Sequence, residues 1–331
     1  MSGKNSFQRL VPFPLVRFFS TVGKAWTECW DCLRLGAKFG VPGHLIWFGL
    51  APGDDLLCTA VHRELHKRGV RNLWMMSKHP EIFQGNADVD RVVPVNDIYP
   101  QIARKWVRRY DLLTYYRHDE ATGKIIQPTQ HVIAALCARA DITGEIALRP
   151  YFHLTQQEIE SDKWATGKIA IQSSGLDAAF PSLNKQWYPE RFQAVVDQLK
   201  GKLEFVQIGS KSDPLLKGAL DFRGRPIRES ASILASCRLY IGGEGFLMHL
   251  ARAVECPSVI IYGGRVSPQQ IGYCCNTNLY TPVPCSPCWE RDKCDFNRTC
   301  MDQIGVQHVV EAVGAMLDRP RGPLDVEKTT L

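Results

Sequence analysis

The chain has 331 residues, 45% hydrophobic, 22% charged and 10% aromatic, enough for a large buried core and incompatible with wholesale disorder. No stretch of 18 apolar residues occurs, which excludes a transmembrane helix. The 40 Lys and Arg exceed the 34 Asp and Glu by a net +6, a mild balance that suits anionic ligands such as phosphates and is far from that of a dedicated nucleic-acid binder.

Residues 1–40 carry much of that charge: Lys4, Arg9, Arg17, Lys24, Arg34 and Lys38 against Glu28 and Asp31, interleaved with Phe7, Phe13, Phe18, Phe19, Trp26, Trp30 and Phe39. Pro12, Pro14 and Arg17 interrupt the apolar run and no small-x-small cleavage site follows, so it does not read as a signal peptide. A cytosolic chain is expected. Such a basic, aromatic extension can lie on an anionic membrane surface at its inner face, or it is an extra helix packed on the first domain.

From residue 44 an alternation begins. His44–Leu50 reads as a buried strand, Ala51–Asp55 as a turn, and Leu56–Arg68 as a helix with Leu57, Ala60, Val61 and Leu65 on one face. Arg71–Ser77, Arg91–Val95 and Asp111–Tyr116 are strand candidates, and Gln130–Ala140 has helical spacing. After a polar stretch, Thr155–Gly167, the alternation restarts. Lys168–Ser173, Glu204–Gly209, Arg238–Ile241 and Ser258–Tyr262 read as strands. Pro189–Lys200, Ile227–Ser236, Phe246–Glu255 and Val306–Leu317 read as helices. The pattern predicts an α/β fold of two doubly wound Rossmann-like domains, residues 41–160 and 161–318, with a frayed tail at 319–331. Ligands in such folds bind at the carboxyl ends of the strands, here in a cleft between the domains.

Four groups of residues stand out for chemistry. Pro52-Gly53-Asp54-Asp55 places two acids at a helix start, where they serve either as caps or, if partly buried, as a general base. Ser173-Ser174-Gly175 ends a strand and Lys185 precedes a helix opened by Pro189; hydroxyls and a cation there can hold phosphate oxygens, or form an ordinary surface turn. Gly242-Gly243-Glu244-Gly245, followed by His249, lies between strand and helix. It lets a ligand approach free N–H groups, and Glu244 contributes nothing to a core. Gly263-Gly264-Arg265 is expected to line the same cleft. Finally, Cys285, Cys288, Cys294 and Cys300 can present a tetrahedral thiolate site for zinc or iron, or remain four reduced thiols. The other eight of the twelve cysteines are scattered.

Together these pieces resemble glycosyltransferase family nine, the ADP-heptose heptosyltransferases of lipopolysaccharide core synthesis and their relatives, over about residues 44–317. The Gly-Asp turn, the Lys185-x-Trp187-x-Pro189 segment, the Gly/acid loop with His249-Leu250, and the closing Pro287-Cys288 and Cys300-Met301 occur in the family's order. The resemblance implies a GT-B fold and an inverting transfer without a catalytic divalent metal. It implies a nucleotide-sugar donor, ADP-heptose, on the second domain and a glycan, lipid-linked or protein acceptor on the first. Asp54 matches the family's base, and Lys185 its phosphate-contacting lysine. Ser173 and Ser174 fall at the phosphate hydroxyls. Glu244, between Gly243 and Gly245, stands where the core enzymes have an aspartate at the sugar, and His249 matches the family histidine. In a branch that glycosylates autotransporter proteins such a cysteine cluster binds iron. Glu244 in place of aspartate, Gly245-Phe246 in place of Thr-Gly, and a longer segment between Ser174 and Lys185 bear on which sugar is used. A relative with another donor sugar is one alternative. An NAD(P)-dependent oxidoreductase is another, which needs an early G-x-G-x-x-G that the chain does not have. A non-catalytic scaffold is a third.

Overall fold

The computed structural model describes residues 30, 33–34, 36–38, 40–48, 51–95, 108–111, 117–121, 125–320 and 322–331. The expectations for residues 1–29 and 112–116 fall outside that set. Among the described residues no helix is long and apolar enough to cross a membrane.

Two parallel sheets carry the chain. In the first, strands β1 (His44–Trp47), β2 (Leu73–Met76), β3 (Arg91–Val93) and β4 (Arg108–Asp111) lie in the order β3-β2-β1-β4. Every residue of β2 is buried, as expected for a parallel strand covered on both faces. The strand expected at Asp111–Tyr116 starts earlier, at Arg108, because Tyr110 (3% exposed) is the residue the core takes from this strand. Helix α1 (Pro52–Lys67) begins four residues before the expected Leu56. Proline at the first helical position has its φ preset and no N–H to lose, so the segment read as a turn is the first turn of the helix. After β3 and β4 come helix α2 (Val132–Arg139) and a short strand β5 (Glu145–Ala147).

The polar stretch Thr155–Gly167 contains helix α3 (Gln156–Ser161), closed by a reciprocal cap: the Glu158 N–H donates to Thr155 Oγ1 (3.2 Å) and the Thr155 N–H to Glu158 Oε2 (2.7 Å). The second sheet follows. Its strands are β6 (Ile169–Ile171), β7 (Phe205–Gln207), β8 (Ala219–Asp221), β9 (Leu239–Gly243), β10 (Ser258–Tyr262) and β11 (Thr277–Tyr280), and all are parallel. Their order, β8-β7-β6-β9-β10-β11, is the doubly wound 3-2-1-4-5-6 arrangement. The edge strands β8 and β11 are additions to the expected set; both are partly exposed and show no apolar alternation.

Side-chain alternation builds two layers on this sheet. Ile169, Ile171, Leu239, Ile241, Val259 and Ile261 face helices α4 (Pro189–Leu199) and α7 (Val306–Leu317), meeting Phe192, Val195, Val309 and Val313. Ala170, Val206, Tyr240, Ile260 and Tyr262 face helices α5 (Ile227–Ser236) and α6 (Phe246–Ala253). That second layer is continuous with the core of the first unit, because α6 packs on α1. A leucine buried there contributes roughly 1.5–3 kcal/mol, so the two units share an apolar seam.

The tail is not frayed. Strand β12 (Lys328–Thr330) returns to the first unit and pairs antiparallel with β5. On the way, Arg252 of α6 (1% exposed) donates to the Asp325 carbonyl at 3.1 Å, and the Leu324 N–H to Glu255. Backbone groups that can be satisfied only in this way hold a polar, proline-bearing segment in place.

Candidate active site

A cavity of about 800 Å³ lies between the two sheets. It opens where β6 and β9 diverge, the point at which the strand order of the second sheet reverses and at which such folds bind ligands. The two neighbouring helix starts also meet there: a Cβ added to Gly53 of α1 would lie 3.8 Å from the Phe246 Cα of α6.

The first unit contributes Asp54, at the third position of α1, with its N–H donating to the Ala51 carbonyl at 3.1 Å and its side chain lining the cavity. Burial, reinforced by the charge of Asp55, pushes its pKa up to about 6; the Lys185 ammonium and the Ala51 N–H oppose that rise only in part. Asp55, its neighbour, points the other way. It is 1% exposed and accepts hydrogen bonds from Ser77 Oγ (2.5 Å) and His79 Nδ1 (2.8 Å). One acid is therefore a fastening between α1 and the segment after β2, and the other faces the cavity.

The second unit contributes an ion pair. Lys185 Nζ lies 2.7 Å from Glu244 Oε2, with the Glu244 side chain 2% exposed and that of Lys185 23% exposed. Burial alone would raise the Glu244 pKa, but Lys185, by charge and hydrogen bond, and Arg265 and His249 outweigh it, and the net direction is down. Sequence reading assigned Lys185 and Glu244 to different parts of a ligand; the structure joins them. The approach of the Lys185 segment depends on Gly263 after β10, since a Cβ there would lie 2.1 Å from the Asn184 carbonyl oxygen.

Ser174, Gly243, Gly245 and His249 also line the cavity. Gly245 caps α6, whose first N–H groups have no intrahelical acceptor. Ser174 Oγ accepts the Leu176 N–H and lies 3.4 Å from Gln186 Oε1. Ser173 does not line the cavity. It is fully buried, donates to the Pro214 carbonyl at 2.6 Å and accepts from Gln207 Nε2 at 3.0 Å. Adjacent residues of an extended segment face opposite sides, so only one of the two serines reaches the ligand space. His249 is buried, its Nδ1 2.6 Å from Tyr273 Oη, and burial lowers its pKa to about 3.

Two cavity residues carry signals that the sequence reading used weakly or not at all. Arg265 lines the cavity with a buried Nε that has no hydrogen-bond partner in the described structure. Asp213, after β7, also lines it, and burial raises its pKa to about 6 against hydrogen bonds from Gln172 and the Ser210 N–H. Its position at the carboxyl end of a predicted strand was the available clue.

The cysteine loop lies beside the turn that carries Lys185. Among the described residues no three Cys, His, Asp or Glu side chains converge as a metal-ligand set. Cys285, Cys288, Cys294 and Cys300 are half-buried and unbridged. Cys300 Sγ accepts the Gly264 N–H at 3.0 Å and Cys294 Sγ the Arg298 N–H at 3.2 Å. A polar clasp organises the loop. Ser182 Oγ and the Asn184 N–H donate to the Arg291 carbonyl, and Asn184 Nδ2 donates to the carbonyls of Glu290 and Lys293. The loop thereby presses on the turn that carries Lys185.

The sequence matches no protein-family model and no curated protein. Solved structures do resemble the fold. E. coli ADP-heptose lipopolysaccharide heptosyltransferase II superposes with a TM-score of 0.63 at 15% identity, covering 83% of this chain and 98% of that one. The family 9 glycosyltransferase of Veillonella parvula DSM 2008 gives 0.61 at 14%, covering 83% and 97%. The iron-containing dodecameric glycosyltransferase TibC of enterotoxigenic E. coli H10407 gives 0.62 at 16%, covering 83% and 76%. The chain thus has a GT-B-like fold of two doubly wound units around a cleft. It shares that architecture with heptosyltransferases and other family 9 glycosyltransferases.

Proposed function

We propose that this protein is an inverting glycosyltransferase that moves a sugar from a nucleoside-diphosphate sugar to a hydroxyl of a glycan, lipid-linked or protein acceptor, with ADP-heptose as donor. The observation that carries this reading is the cavity itself: a raised carboxylate, Asp54, on one wall and the Lys185–Glu244 pair beside a helix start on the other. The likeness to proteins named for ADP-heptose transfer supports the choice of donor.

In this mechanism Asp54 takes the acceptor hydroxyl proton as its oxygen forms a bond to the anomeric carbon. The bond to the nucleoside diphosphate breaks on the opposite face, which inverts the centre. Lys185, Arg265 and the free N–H groups of α6 stabilise the charge gathering on the departing diphosphate. Glu244 and His249 hold sugar hydroxyls, Ser174 reaches phosphate oxygen, and Gln172 and Asp213 meet the nucleoside. General-base help is worth about 10²–10⁴-fold.

The test is ADP release from ADP-heptose, with and without candidate acceptors, measured for the native protein and for Asp54→Asn. Release that falls by that factor in the variant, with ADP affinity retained, supports the reading. No release from any ADP-, UDP- or GDP-sugar, or equal release by the variant, overturns it.

A further inference from the structure

Behind His249, which the mechanism above places at the sugar, lie two side chains that it leaves unexplained, Tyr273 and His131. His249 faces the ligand space from α6. Its Nδ1 meets Tyr273 Oη at 2.6 Å, with the rings 5.7 Å apart and nearly perpendicular. Tyr273 is 3% exposed, and among the described residues its hydroxyl makes this one hydrogen bond. The residue before it, Gly272, accepts a hydrogen bond from His131 Nε2 at 2.9 Å. His131 belongs to the other unit, where it caps α2.

Counting protons assigns the direction of each bond. A buried hydroxyl proton without an acceptor costs about 1–3 kcal/mol. If His249 carried its proton on Nδ1, it would donate to Tyr273 Oη and strand the phenol's own proton in the core. With the Tyr273 O–H donating to Nδ1, every group is satisfied, and the proton of the neutral ring sits on Nε2. His131 obeys the same logic: its Nδ1 accepts the Ile133 N–H at 3.2 Å, so its Nε2–H donates to Gly272. Burial keeps both rings neutral.

We propose that Tyr273 is a positioning residue that locks His249 in the Nε2–H tautomer, so that the ring presents a hydrogen-bond donor to the cavity beside the Glu244 acceptor. A donor and an acceptor side by side fit one hydroxyl, which accepts from His249 and donates to Glu244. The ligand group so recognised is a sugar hydroxyl of the donor, and in that respect the proposal rests on the glycosyltransferase reading. The His131–Gly272 bond adds a link between units: the segment between β10 and β11 that carries Tyr273 is tethered to the first unit, so the tautomer lock is set when the two units are together.

The experiment has two arms. In full-length protein with ¹⁵N-labelled histidine, long-range ¹H–¹⁵N spectra report each ring's tautomer, and His249→Gln identifies the His249 signal among the nine histidines. The expected result is Nε2–H in the native protein and a mixture of tautomers in Tyr273→Phe. A native Nδ1–H ring, or an unchanged ring in Tyr273→Phe, overturns the proposal, and neither result depends on any activity. In the second arm, ADP release from ADP-heptose falls about 5–10-fold in Tyr273→Phe, as for the loss of one hydrogen bond, with ADP affinity within twofold. In a His249→Gln background, where the amide N–H₂ stands near the Nε2 position, adding Tyr273→Phe has no further effect. An equal loss in both backgrounds means Tyr273 acts through packing and overturns the proposal. Absence of ADP release from every variant counts against the glycosyltransferase reading, while the tautomer spectra still decide whether Tyr273 sets the His249 ring.

Discussion

Asp54 and Glu244 are two carboxylates on opposite walls of one cavity, both taken out of water, and they end with opposite proton affinities. Asp54 has a like charge beside it in Asp55 and rises to about 6. Glu244 has an ammonium at 2.7 Å and moves down. Burial is common to both, so the partner decides. Groups driven apart in this way divide the roles of base and permanent anion. The wall with the unpaired acid belongs to the first unit, and the wall with the neutralised acid to the second.

The sharpest way to break the comparison is Asp54→Asn, expected to lower turnover by about 10²–10⁴-fold. It also carries a stability signature. A folded-state pKa above the unfolded one means ionisation opposes folding: the cost is absent below about pH 4 and complete above about pH 6. Asp54→Asn therefore stabilises the protein at pH 7, on the order of 2–3 kcal/mol, and not at pH 4, as thermal melts at the two values will show. Next comes Lys185→Met, which leaves Glu244 buried without its counter-charge and costs about 3–5 kcal/mol. Adding Glu244→Leu recovers most of that loss in a double-mutant cycle. The pH profile follows: kcat/KM rises with one-proton slope through about pH 6 and then levels, and the slope vanishes in Asp54→Asn.

The smallest effect belongs to a third, half-buried carboxylate at the surface. Glu158 pairs with Arg228, whose hydrogen bonds pull its pKa down to about 2. Its contribution is present above the unfolded value near 4.3 and is lost as pH falls toward 2. With the Glu158 side chain still 27% exposed and screened by solvent, the pair is worth about 1 kcal/mol. Glu158→Gln is expected to shift the melt slightly at low salt and hardly at all at 1 M salt.

Much of the fold was legible because buried parallel strands and amphipathic helices write strong local patterns. Ile227–Ser236, Ser258–Tyr262 and Val306–Leu317 are found where the periodicity put them. The edge strands Ala219–Asp221 and Thr277–Tyr280, half in solvent, leave no such pattern, and the tail strand is defined by a partner 183 positions away in the chain. The site was legible as residue types and not as pairings. Asp54 and Asp55 are neighbours, and only the packing of Ser77 and His79 tells them apart. The Ser173–Ser174 choice could have been made from strand alternation alone. Nothing local to Lys185 or Glu244 announces their ion pair, and nothing near His249 points to Tyr273. The cysteine spacing suggested a metal, and it could not have shown the hydrogen bonds from Ser182 and Asn184 that gather the same loop.

The returning tail has a mechanical consequence. The polypeptide passes between the units once through the α3 segment and again through residues 322–331, which end in a ladder closed by reciprocal bonds between Gly144 and Leu331. Two chain crossings, together with the α1–α6 seam, tie the units at three places and so limit how far the cleft can open. Cargo fused behind Leu331 would pull on that second tether.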